Sequence, residues 1–160
     1  MLTINLICVG KLKENYLKDA AAEYIKRLAA FCKLNVMEIE EDRLVDNPSP
    51  TQIAMGLEAE GKKILSKIQA ASRIITLCIE GKLLSSEDLA SDFTTAAING
   101  TSNISIIIGG SFGLSGEVKK AATLSLSLSK MTFPHQLARI MLLEQIYRSF
   151  TIIANKKYHK

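Results

Sequence analysis

Apolar positions along the chain follow two rhythms. Short runs of adjacent or alternating apolar residues mark strands, and stretches in which they recur every three or four residues mark amphipathic helices. Leu2–Val9 is an apolar run closed by Gly10 and reads as a strand. Leu17, Ala20, Ala21, Tyr24, Leu28 and Phe31 follow at helical spacing. Leu34–Ile39 reads as a second strand, and the loop after it holds Pro48 and Pro50. Thr51 is placed to cap a helix carrying Ile53, Leu57, Ile64 and Ile68, with Glu58 and Lys62 one turn apart on its surface.

Arg73–Ile79 is strongly β in character and ends at Glu80-Gly81-Lys82. Ser85, with Asp88 three residues on, is a variant of the capping box that opens a helix through Leu89, Phe93 and Ala97, closed by Asn99-Gly100. Ile104–Ile108 is an apolar strand followed by GGSFGLSGE, in which Ser115 is placed to cap a short helix through Ala122. Leu124–Leu128 is the last strand, and Pro134 sits near the first position of the last helix. Strands separated by helix-length segments predict an α/β fold, a mostly parallel sheet with helices on both faces. Ligands of such sheets bind outside the carboxyl ends of the strands. Three of those ends carry unusual residues: Leu77–Lys82, Gly109–Gly113 and Leu128–Phe133.

Composition narrows the class. The 160 residues, 48% of them apolar, fit one globular domain spanning 1–160, with no internal repeat and no Gly/Ser linker. A net charge of +4 and a pI near 9.0 lean towards a polyanionic partner. From Lys130 onwards, Lys130, Arg139, Arg148, Lys156, Lys157 and Lys160 stand against one acid, Glu144, so this end is the side expected to meet phosphates. The acids gather instead at Glu38, Glu40, Glu41, Asp42 and Asp46. Cys8, Cys32 and Cys78 form no C-x-x-C, and His135 and His159 offer no metal spacing. Reduced, buried thiols in a cytoplasmic protein without a metal are the expectation. MLTINLICVGKLK lacks the leader and cleavage site of a signal peptide, and Leu137–Ile153 is too interrupted by Arg139, Glu144, Gln145 and Arg148 to span a membrane.

Four stretches carry candidate chemistry. Glycines in IIIGGSFGLS allow a tight turn and close approach to a ligand, although any strand-to-helix turn uses such glycines. In LSKMTFPHQLAR, Met131 and Phe133 read as core residues in isolation. The preceding Leu/Ser alternation, however, makes one strand face small, and the backbone from Leu128 to Phe133 is placed to read an adenine edge, with Pro134 fixing its exit. On the last helix Leu143, Ile146, Phe150 and Ile153 share a side with Arg139, while Glu144 and Arg148 lie elsewhere as an i,i+4 pair, solvated on the plainest reading. The tail NKKYHK combines stacking side chains with lysines, which suits RNA and equally suits a frayed basic end.

Together CVGKLKENYLKDAAAEYIKRL, TLCIEGKLLSSEDLA, IIIGGSFGLS, LSLSKMTFPHQLARIMLLEQIYRSF and the closing YHK resemble the ribosomal large-subunit methyltransferase H family, in the same order, from Ile4 to Lys160. The resemblance implies a SPOUT-type α/β fold with a C-terminal trefoil knot and a homodimer with S-adenosylmethionine held in the knot. The activity it implies is N3 methylation of pseudouridine 1915 in helix 69 of 23S rRNA, on assembled ribosomes. It places cofactor contacts on Leu77, Gly109, Leu128, Ser129, Lys130, Met131, Thr132 and Phe133. Cys78 departs from the acid that relatives usually carry there, which would change the electrostatics beside Leu77. Methyl transfer from a sulfonium needs no metal, but a uracil-type N3–H must lose its proton. Glu144, Arg148 and the Tyr158-His159-Lys160 tail are the expected RNA side, shared between subunits, with His159 as candidate proton acceptor. Arg139 and His135 are expected at most to orient the cofactor loop. Two alternatives stand beside this reading: a SPOUT enzyme acting on another RNA such as tRNA, and a non-enzymatic RNA-binding module.

Overall fold

The computed structural model describes residues 1–159. Ten elements alternate: β1 (Thr3–Val9), α1 (Asn15–Leu28), β2 (Lys33–Ile39), α2 (Pro50–Lys67), β3 (Arg73–Leu83), α3 (Ser86–Ile98), β4 (Asn103–Ile108), α4 (Gly116–Ala121), β5 (Leu124–Ser127) and α5 (His135–Ile153). The strands form one sheet in the order β2-β1-β4-β3-β5, with every neighbouring pair parallel. All five carboxyl ends therefore lie along one edge.

Strand periodicity divides the core in two. Ile4, Leu6 and Cys8 of β1 with Ile104, Ile106 and Ile108 of β4 face α1, α3 and α5, and pack on Leu28, Phe93, Leu142 and Ile146. Ile7, Val9 and Ile107 face the other way, onto Ile64 of α2 and Val118 of α4. The central strands are apolar on both faces because both faces are covered.

Several details of the elements depart from the sequence reading. Ser49, not Thr51, caps α2: its Oγ accepts from Gln52 N at 3.2 Å while Gln52 Oε1 accepts from Ser49 N at 2.8 Å, and Pro50 fills the first helical position. Pro134 is the N-cap of α5 rather than its first residue. β5 stops at Ser127, one residue early, where Ser127 Oγ donates to Ser129 O at 2.9 Å and turns the chain. Ile153, expected on the buried side of α5, is exposed at the helix end. The expected cap of α3 holds, with Ser85 and Asp88 bonded reciprocally at 3.0 and 3.1 Å.

β3 runs on past Ile79 to Leu83, but not regularly. It pairs with β5 through Ile75–Leu77, loops out, and pairs again at Lys82 and Leu83 against Leu126 and Ser127. The loop passes directly over β5. A Cβ on Gly81 would lie 2.7 Å from Leu126 C and 2.8 Å from Ser125 O, so the two backbones touch and only glycine fits. The small face of β5 serves this crossing, and Ser125 Oγ also meets Thr76 Oγ1 at 3.2 Å.

Candidate active site at the carboxyl ends of the strands

The ends of β3, β4 and β5 enclose a cavity of about 750 Å³, within the usual range of small-molecule sites. Its walls include Leu77 to Glu80 from the β3 loop, Gly109 to Leu114 after β4, and Leu128, Ser129, Met131, Thr132 and Phe133 after β5. The three strand ends singled out from sequence thus meet in one place. The glycine turn is tight: a Cβ on Gly109 would lie 2.3 Å from Gly113 O, and Gly113 N bonds Gly110 O at 3.1 Å. Lys130 is exposed and is not part of the cavity wall.

The Leu128–Phe133 wall has the donor set that an adenosine needs. Its internal bonds are Ser127 Oγ to Ser129 O and Met131 N to Ser129 Oγ, at 2.9 and 3.0 Å. Among the described residues its remaining main-chain N–H and C=O groups take part in no backbone pairing, leaving them for a ligand edge. The residues present therefore fit a flat, hydrogen-bonding heterocycle.

The start of α5 is tied to the other strands. Arg139 is 4% exposed, and its guanidinium donates to Glu38 Oε2 at 3.0 Å and to Gly10 O at 2.9 Å. It joins the cavity's α5 wall to the ends of β1 and β2 and is not available to phosphates. His135 stands beside Gly10, where a Cβ would meet its Nε2 at 3.6 Å.

A second cluster lies farther along α5. Arg148 Nε donates to Glu144 Oε1 at 2.8 Å, and its Nη2 stands 2.7 Å from the same oxygen as an ion pair. After α5, Asn155 adopts φ 51° and Lys156 N bonds Thr151 O at 2.9 Å, which folds the tail back along the helix. Tyr158 OH then donates to Glu144 Oε2 at 2.9 Å, and its ring lies 4.7 Å from the Arg148 guanidinium. Burial, then the bond to Glu144, raises the Tyr158 phenol above its usual range and pushes that of Tyr24 up to about 12. His159 Nε2 sits 2.6 Å from Glu87 Oε1, and its Nδ1 sits 3.4 Å from Arg148 Nη1. An arginine only donates, so Nδ1 accepts and the ring proton on Nε2 goes to Glu87. Glu87 is held below the usual carboxylate range by the backbone at the start of α3 and by His159. The Glu144–Arg148 pair is therefore half-buried and saturated, not solvated. Lys160 lies outside the described residues.

Comparison with known proteins decides the family. The model of a family described as "Predicted SPOUT methyltransferase" matches residues 2–159. The chain belongs to the SPOUT methyltransferase family. Relatives named "Ribosomal RNA large subunit methyltransferase H" include one from Clostridium novyi, 49% identical over 99% of this chain and 100% of its own length. Another, from Bacillus thuringiensis, is 48% identical over the same shares. A solved structure of a probable methylase family protein from Haemophilus influenzae Rd KW20 shares the fold, with a TM-score of 0.53 at 14% identity over 98% of this chain and 70% of that one. A putative methylase family protein from Neisseria gonorrhoeae gives a TM-score of 0.50 at 15% identity, covering 90% and 81%.

Within this SPOUT chain, Glu144, Arg148, Tyr158 and His159 do come together, while their cluster stands apart from the cavity of the same copy. At about 1.5 Å per residue, Glu144 and Arg148 lie roughly 9 and 15 Å along α5 beyond Ala138, the last α5 residue on the cavity wall. Glu87 was missed from sequence, because its acid reads as an ordinary first-turn residue of α3. Cys78 is buried on the cavity wall, and burial raises its thiol above the usual range. All three cysteines are free and buried. Glu38, Glu40, Glu41 and Asp42 of the acidic stretch line a neighbouring hollow of about 870 Å³ with Lys11, Lys13 and Arg43, and it shares Ser111 and Phe112 with the cavity. Among the described residues no group of three His, Cys, Asp or Glu is placed to hold a metal ion, and no helix is long and apolar enough to cross a membrane.

Proposed function

We propose that the chain is an S-adenosylmethionine-dependent methyltransferase that methylates N3 of pseudouridine 1915 in helix 69 of 23S rRNA on assembled ribosomes, and so works in the cytoplasm. The observation that carries this reading is the cavity at the strand ends, with the unpaired backbone of Leu128–Phe133 along one wall. Large-subunit rRNA as the substrate is inferred from the relatives' name at 46–49% identity along nearly the whole chain, and the nucleotide within it from the motif resemblance.

Leu77, Gly109, Leu128, Ser129, Met131, Thr132 and Phe133 hold the cofactor, and Lys130, off the cavity wall, only links Ser129 to Met131 in the chain. The bound cofactor supplies a methyl carbon made electrophilic by its sulfonium. On the RNA side, Glu144 is an anchor: its two oxygens already accept from Arg148 and Tyr158. When the Arg148–His159 contact opens, His159 Nδ1 is free to take the N3 proton, and Arg148 turns its charge to the ring oxygens that become negative.

One copy does not bring the two clusters together, and a homodimer does so if the tail of one copy reaches the cavity of the other. Exposed apolar residues line the cavity: Ile79 at 54%, Phe112 at 51% and Met131 at 75%. A second copy would cover them. The backbone contact of Gly81 with β5 supports a chain that crosses itself here, as a trefoil knot requires.

The test is tritiated methyl transfer to intact ribosomes and to tRNA. The reading expects label in 23S rRNA, with His159→Ala and Arg148→Ala each lowering the rate by about 10²–10³. Near-wild-type rates in both variants overturn the residue assignment. Label in tRNA moves the substrate, and RNA binding without cofactor binding leaves a binding module.

A further inference from the structure

The cavity contains one feature that a purely nucleoside site does not need. Glu80, on the β3 loop, and Lys119, on α4, both line it and pair at 2.6 Å. They are the Asp, Glu, Lys or Arg side chains of its wall; apart from the His135 imidazole, the rest is backbone, apolar or small polar. Their side chains are 57% and 40% exposed, so a ligand reaches both. An ion pair this open contributes little to stability in water and is easily parted. The bond to Lys119 draws Glu80 below the usual carboxylate range, and the bond to Glu80 raises Lys119 above the usual lysine value.

S-adenosylmethionine ends in an ammonium and a carboxylate a few bonds apart. That end is complemented by one anion and one cation that already stand at hydrogen-bond distance, and charge-assisted bonds of this kind are the strong ones. We propose that Glu80 and Lys119 form the subsite for the zwitterionic amino-acid end of the cofactor, Lys119 taking the carboxylate and Glu80 the ammonium. This rests on the cofactor reading of the cavity. The Leu128–Phe133 backbone reads the nucleoside, and this pair reads what distinguishes the cofactor from a plain nucleoside.

Calorimetry on the full chain separates the two halves. S-adenosylhomocysteine carries the amino-acid end, and 5′-methylthioadenosine has the same nucleoside thioether without it. Lys119→Met and Glu80→Gln should each weaken S-adenosylhomocysteine about ten-fold and leave methylthioadenosine within about two-fold. The charge-swapped double variant, Lys119→Glu with Glu80→Lys, keeps an ion pair between α4 and the β3 loop but should stay weak. Unchanged affinity in the single variants, equal losses for both ligands, or recovery in the swapped pair overturns the subsite and leaves the cofactor reading standing. Failure of the wild-type chain to bind either ligand removes the cofactor reading itself, and the subsite with it.

Discussion

Arg139 shows how far a single side chain is legible from its spacing. Its place on the apolar side of α5 is visible in the sequence and calls for a partner. That partner, Glu38, is 101 residues away, and helical periodicity says which face a residue occupies but not what stands opposite. Arg139→Met removes the donor to Glu38 and to Gly10 O. With the Glu38 side chain 37% exposed, water compensates in part, and a loss of about 1–3 kcal/mol is expected in urea unfolding. An unchanged midpoint would show the tether to be idle. The phenols around Glu144 give a prediction in pH. Their folded values lie above the usual 10, so the stabilisation they contribute is complete below about pH 10 and is lost as pH rises towards about 12. An absorbance titration should find Tyr24 ionising only near 12.

Among the elements, the alternation of strand and helix is plain in the chain because parallel strands covered on both faces are nearly continuous apolar runs. The order β2-β1-β4-β3-β5 is not, because pairing partners are set by long crossovers and tertiary packing. Thr51 lost the cap of α2 to Ser49 because Pro50 prefers the first helical position, which moves the cap one residue before it. The loop in β3 was hidden for a different reason. Glu80-Gly81-Lys82 looks like a strand end, whereas Gly81 is needed where two backbones touch. Gly81→Ala should therefore cost about 2–4 kcal/mol and weaken cofactor binding, since the loop carrying Glu80 must lift off β5. Gly100→Ala, at a turn with nothing within 4 Å of the added Cβ, should pay only for its positive φ of 82° and leave cofactor binding intact. Equal binding losses in both would point to general unfolding instead of a local clash.

At the scale of the whole molecule, the cavity and the tail cluster occupy different stretches of α5, and a second copy is what would unite them. The strand ends and the i,i+4 pair of Glu144 and Arg148 stand out in the sequence, Tyr158 and His159 through the make-up of the tail, and Glu87 not at all; the distance between the clusters exists only in the folded chain. Mixed dimers test the sharing. A Gly109→Val chain, with its turn blocked, and a His159→Ala chain should each be inactive alone. Mixed in equal amounts they should regain roughly a quarter of wild-type activity, because half of the dimers then hold one intact site of two. No recovery would mean that each copy completes its own site. The central claim is tested most directly by mass spectrometry of helix 69 nucleotides from ribosomes lacking this modification, incubated with the purified chain and S-adenosylmethionine. The account predicts one added methyl on pseudouridine 1915, and an unmodified helix 69, or methyl groups found only in other RNA, would contradict it.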